Sequence, residues 1–104
     1  MITNNGTTNH NGTTPVTMST IPIPSAGTWI LNGSTVGSAT TAICFSPTVN
    51  VFSIPGSMTA PANNYVSISN IVSTASSTNY YFVSNTTTNG SSMTFVYTYL
   101  TRIG

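Results

Sequence analysis

Apolar positions along this chain fall in short alternating runs and not at helical spacing. Val66, Ile68 and Val72 alternate with Tyr65, Ser67 and Ser69, the period-two pattern of a strand with one buried face. Toward the end of the chain Phe95, Tyr97 and Tyr99 fall on one side, while Val96, Leu100 and Ile103 do not all keep the opposite register. Both sides of that strand therefore carry apolar atoms, and its second side needs cover from a loop or from another subunit. Read this way throughout, the chain predicts strands at 16–23, 28–31 with a continuation near Val36, 40–45, 49–54, 65–72, 79–84 and 92–103. Their even spacing is punctuated by Ser46-Pro47, Pro55-Gly56, Ala60-Pro61-Ala62-Asn63 and Asn89-Gly90, the rhythm of an antiparallel sandwich or barrel. Pro22 and Pro24 assign the first strand to a sheet edge. Asn89-Gly90 is a preferred type I′ turn dipeptide, which predicts that 79–84 pairs with 92–103. Residues 1–14 contain little to bury and read as an arm that is flexible unless a partner orders it, leaving 15–104 as one domain.

Composition agrees with the pattern. Nine Ile, eight Val, five Tyr and four Phe outnumber two Leu and six Ala, a bias toward β-branched and aromatic side chains. Lys, Glu and Gln are absent, so no window can be written as a helix with a charged outer face. The expected fold is all-β, an antiparallel two-sheet sandwich of about eight short strands.

Thr, Ser and Asn together fill 48 of the 104 positions, and the only groups charged or readily charged near neutrality besides the termini are Arg102 and His10. Acid–base catalysis needs titratable groups set against one another, and this chain does not own such a set, so an enzyme is not expected. A net charge of +1 gives neither counterion release on nucleic acid nor attraction to anionic lipid. No apolar run approaches the length of a membrane span, and the start of the chain does not read as a secretory signal. Surfaces this neutral lack the repulsion that keeps copies apart, so self-association is expected. No cofactor is implied. Cys44, the single cysteine, sits in an alternating apolar segment and reads as a buried structural thiol.

Individual candidates follow. Trp29 reads as a core residue whose indole N–H finds a partner. Arg102 has no acidic partner in the chain, so its guanidinium must be solvated, bonded to a backbone carbonyl or a C-terminal carboxylate, or paired with another protein, a carbonyl or the Gly104 carboxylate being favoured. His10 has no companion metal ligands. The C-terminal strand, with Phe95, Tyr97, Tyr99 and Arg102, is the candidate intersubunit surface. Asn79, Tyr80 and Tyr81, with the loops 57–59 and 86–89, offer neutral hydrogen bonds and aromatic faces suited to an uncharged sugar. Five Asn-x-Ser/Thr triplets occur in a chain so rich in Ser and Thr that chance accounts for them.

Two segments resemble a known family. Gly27-Thr28-Trp29-Ile30-Leu31-Asn32-Gly33-Ser34-Thr35-Val36 resembles the G-x-[WY]-x-[LV]-x-G-x-[VI] strand of small jelly-roll domains at the ends of bacteriophage tail fibres and related virion proteins. Phe95-Val96-Tyr97-Thr98-Tyr99-Leu100-Thr101-Arg102-Ile103-Gly104 is similar to their closing strand. The resemblance covers about residues 15–104. It implies a tumour-necrosis-factor-like jelly roll that forms homotrimers on the virion surface as head-fibre, fibre-tip or capsid-decoration subunits, often contacting host glycan. The near-absence of charge and of a fibre shaft favours a small accessory subunit held to other virion subunits by its N-terminal arm. The alternative is a polymerising, pilus-like surface filament in which the arm adds as a strand to a neighbour.

Overall fold

The computed structural model describes residues 6–9, 15–52, 57–85 and 92–104. They carry eight strands: β1 Gly6–Asn9, β2 Val16–Ile23, β3 Gly27–Gly37, β4 Thr41–Ser46, β5 Met58–Ala60, β6 Val66–Thr74, β7 Thr78–Asn85 and β8 Ser92–Arg102. Two antiparallel four-stranded sheets result, in the orders β1-β8-β3-β6 and β2-β7-β4-β5. Every connection except β4 to β5 passes from one sheet to the other, which is the winding of a jelly roll. The expected all-β, two-sheet jelly-roll sandwich is the observed fold.

Alternation decides what each strand buries. On β3, Trp29, Leu31, Gly33 and Thr35 face inward, and Ile30 and Asn32 face out. Met18, Ile21 and Ile23 of β2, Ile43 and Phe45 of β4, Ile68 of β6, Phe82 of β7 and Leu100 of β8 complete the core from both sheets. Phe45 and Phe82 are direct cross-strand neighbours and stack with ring centroids 4.9 Å apart. A β-bulge at Met18 in β2 turns both Met18 and Ser19 toward the interior, where Ser19 reaches the Thr98 hydroxyl of the facing sheet. Hydroxyls thus enter the core without being stranded: Thr35 bonds the Met18 sulfur, Thr41 the Ala39 carbonyl and Ser46 the Thr48 carbonyl. This is how a chain so rich in Ser and Thr still closes an interior.

Pro22 does stand on an edge strand, since β2 pairs with β7 alone. The faces of 65–72 are also as expected, with Ile68 buried, Val66 and Val72 packed on the core, and Ser67 and Ser69 exposed.

Two expectations fail. The segment 49–54 is not a strand in its described part, residues 49–52: Val49 and Asn50 form a turn, with Asn50 in the left-handed region at φ 56°. Asn50 exchanges two hydrogen bonds with Thr17, from its own N–H to the Thr17 hydroxyl and from the Thr17 N–H to its side-chain oxygen, each 2.9 Å. Having left β4 at Ser46, the chain must cross the outside of β7 to reach Thr17 on β2. Val83 and Cys44, which pair with each other at outward positions of this sheet, are nonetheless fully buried. The extra strand of this sheet is instead the three-residue β5. Secondly, β7 and β8 do not pair. Their two sides are taken by β2 and β4 and by β1 and β8's other neighbour β3, respectively, so the strands lie in opposite sheets. Residues 86–91 between them are too many for a two-residue turn, and Asn89-Gly90 lies outside the described residues.

Of the N-terminal arm, residues 6–9 form β1, laid antiparallel on β8 of the same chain with Gly6 opposite Phe95 and Asn9 opposite Ser92.

Candidate functional site

The outer face of the sheet β1-β8-β3-β6 gathers the side chains that the C-terminal strand presents. Register sets them in rows across three strands. Tyr99 stands beside Asn32 and Ser69, Tyr97 beside Ser34 and Ser67, and Thr101 beside Ile30 and Ile71. Ser69 donates to the Asn32 side-chain oxygen, and Thr28 and Ser73 join hydroxyls at 3.2 Å, so neighbouring strands are tied across the face. Tyr99 is 37% exposed and Tyr97 half-buried. Inward, Thr98 and Leu100 of the same strand are buried in the sandwich. Among the described residues the second side of β8 is thus partly exposed at Tyr97 and Tyr99, apolar in its rings and polar in its surroundings, with no charged group in these rows. The register between β3 and β8 steps by one between Ser34 and Thr35, which sets Phe95 opposite Thr35 and leaves Val96 as the extra residue.

Arg102 lies at the end of this strand and finds its partners inside the chain. Its guanidinium rests 5.6 Å from the centre of the Trp29 ring, and its Nε donates to the backbone oxygen of Gly104 at 3.2 Å. The same oxygen accepts the Thr28 N–H at 3.0 Å, while the Ile103 N–H donates to the Thr28 carbonyl at 2.9 Å. Gly27 leaves room for this clasp, since a Cβ there would stand 2.8 Å from that oxygen, and its φ of 149° is one that other residues rarely adopt. Trp29 is 7% exposed and gives its indole N–H to the Ser25 carbonyl, the core placement expected of it.

Asn79, Tyr80 and Tyr81 do not converge on one surface. Tyr80 lies opposite buried Ile21 and packs on the core. Asn79, opposite Pro22, and Tyr81, opposite Thr20, face outward on the other side of β7. Asn79 does border an open groove of about 390 Å³ at the ends of β2 and β7. Pro22, Ile23 and Pro24 make one wall apolar, and Ser77, Thr78 and Asn79 make the other polar and uncharged. Sequence reading missed this groove because its walls meet only through the pairing of β2 with β7. Pro22 and Pro24 were legible as an edge signal, not as a surface.

His10 and the loop 86–89 lie outside the described residues. Among the described residues no group of three His, Cys, Asp or Glu stands together, and no helix is long and apolar enough to cross a membrane.

No protein-family model matches the chain, and neither does any curated protein sequence. Among solved structures, its fold is similar to that of a carbohydrate binding module from Cellvibrio mixtus lichenase 5A, determined in complex with cellotriose. The two superpose with a TM-score of 0.50 over 98% of this chain and 88% of the module, at 14% sequence identity. At that identity the likeness concerns the fold: this chain is a β-sandwich of the kind on which that module is built.

Proposed function

We propose that this chain is a virion structural protein, a jelly-roll subunit that assembles as a homotrimer in a capsid decoration or fibre tip and binds an uncharged host-surface glycan. The observation that carries the reading is the open outer face of β8, where Tyr97 and Tyr99 stand among Asn32, Ser34, Ser67 and Ser69 without a charge. Identical copies can bring such faces together without repulsion, and rigid Tyr rings supply contact area at low entropic cost. The Gly27–Val36 and Phe95–Gly104 segments support the virion assignment through their family resemblance. For the glycan, the groove beside Asn79 offers apolar pyrrolidine rings to the C–H face of a sugar and neutral donors and acceptors to its hydroxyls. The module of similar fold was itself determined with a bound oligosaccharide.

Light scattering tests the assembly. The unaltered chain is expected at three times its 10.8 kDa mass or a multiple of that, and Tyr99→Lys, which sets three ammonium groups into the contact, at a mass that is no longer a multiple of three chains. A stable monomer of the unaltered chain at micromolar concentration would sink the reading.

The filament alternative has one observation in its favour. The strand that the arm contributes, β1, holds to β8 through only four residue pairs, a short pairing that a neighbour's arm could also make. Deleting residues 1–14 separates the two readings. Trimers survive the deletion if the β8 face holds them, whereas filaments built by strand addition disappear.

A further inference from the structure

We propose that the free edge of β6 pairs antiparallel with β6 of a second copy of this chain, across a two-fold axis at Ile71, merging two outer sheets into one of eight strands. This contact lies at the border of the sheet, two strands from β8, and is additional to the trimer.

The two sheets have four edges, and three of them are blunted. β2 carries Pro22 and the bulge at Met18, β5 is three residues long, and β1 is four. Such features are what keep sheet edges from pairing. β6 has none of them. It runs nine residues, Val66–Thr74, without proline, glycine or charge, and its register against β3 is unbroken from Val66 opposite Thr35 to Thr74 opposite Gly27. At about 3.3 Å per residue it presents roughly 30 Å of backbone that no strand among the described residues pairs with on its far side. Beside that backbone Ile71 is 67% exposed, and Tyr65, just before the strand, 74%.

The strand also suits its own copy. Centring the two-fold on Ile71 sets the two Ile71 side chains against each other and each Ser69 opposite Ser73 of the second copy. On the outer face that arrangement pairs apolar with apolar and hydroxyl with hydroxyl. No like charges oppose it, because the one arginine of the chain, Arg102, sits two strands away on β8. A charged or proline-bearing partner strand would gain nothing from this match. The result would carry the Tyr99-Asn32-Ser69 rows of two copies on one continuous face.

Oxidative cross-linking reads the register directly. Paired strands bring opposed Cβ atoms within disulfide reach, and the native Cys44 is buried. Ile71→Cys is expected to give a disulfide-linked dimer on a non-reducing gel. Ser76→Cys, exposed just beyond the strand and set by the axis opposite Val66, is expected to give none. Ile71→Lys should remove the two-fold association while leaving the trimer mass. Thermal melting of each variant checks that it is folded. A folded Ile71→Cys chain that stays uncross-linked, or a Ser76→Cys chain that cross-links equally fast, overturns the proposal. Loss of the trimer in Tyr99→Lys with cross-linking retained in Ile71→Cys would support both contacts as separate. An unaltered chain that is a dimer and never a trimer would remove the trimer reading alone.

Discussion

Phe82→Ala is expected to cost about 3–5 kcal/mol of folding stability, because a fully buried ring is removed from a small interior that cannot collapse around the gap. For a chain of this size that corresponds to a fall in Tm on the order of 15–30 °C. The ring does three things at once. It stacks on Phe45 of β4, fills the space opposite the bare backbone of Gly33, and joins a core of about ten buried side chains. Total stabilities of natural domains are about 5–15 kcal/mol, so the variant should be marginal or unfolded at 37 °C. Phe82→Leu retains more of the volume and should lose less. Tyr99→Ala, on the outer face, should lie within about 0.5 kcal/mol of the unaltered chain, provided the comparison is made on dissociated subunits. Urea titration measures all three. A Phe82→Ala loss as small as that of Tyr99→Ala would mean that the sandwich does not rest on this ring.

Period-two alternation made most of this fold legible, because burial between two sheets reads out one face of each strand. β6 follows it closely, β2 follows it beyond the bulge at Met18, Trp29 and Leu31 follow it on β3, and Pro22 marks β2 as an edge. What failed has a common physical origin in contacts distant along the chain. Val49 and Val51 alternate with polar neighbours as a strand would, yet Asn50 adopts a left-handed turn because its partner, Thr17, lies on another strand. Asn89-Gly90 is a strong local hairpin signal, but β7 and β8 already have neighbours on both sides in different sheets. Local turn preference is worth little against the burial of an entire strand. The site divides in the same way. Tyr97 and Tyr99 were legible as an outward pair because two residues on one strand need only alternation. Asn79, Tyr80 and Tyr81 are neighbours in sequence, but alternation sends Tyr80 inward, and the apolar wall that Asn79 meets comes from the end of β2 and Pro24 after it. For Arg102 the lack of an acidic side chain points to a carbonyl or the Gly104 carboxylate ahead of an outside partner. The structure supplies it with the Gly104 oxygen and adds the Trp29 ring.

Gly33 carries the second large expectation, and it explains why a glycine recurs inside a strand where entropy disfavours it. Nothing in its backbone conformation demands glycine, unlike Gly27; the constraint is space. A Cβ at position 33 would lie 2.8 Å from Phe82 Cζ, 2.9 Å from Phe82 Cε2 and 3.1 Å from Phe45 Cζ. Both rings belong to the facing sheet, and they are paired and stacked, so neither can retreat without displacing the other. Gly33→Ala is therefore expected to destabilise the fold by about 1–3 kcal/mol, and Gly33→Val by more. The sign is opposite to the usual benefit of replacing glycine in a regular strand, which makes the measurement decisive. Clash and cavity should also compensate each other. In the double variant Gly33→Ala with Phe82→Leu, the added methyl occupies space that the smaller side chain vacates, so the combined loss should fall short of the sum by about 0.5–3 kcal/mol. Strict additivity in that cycle would show that the glycine is held for a reason other than the rings that press on it.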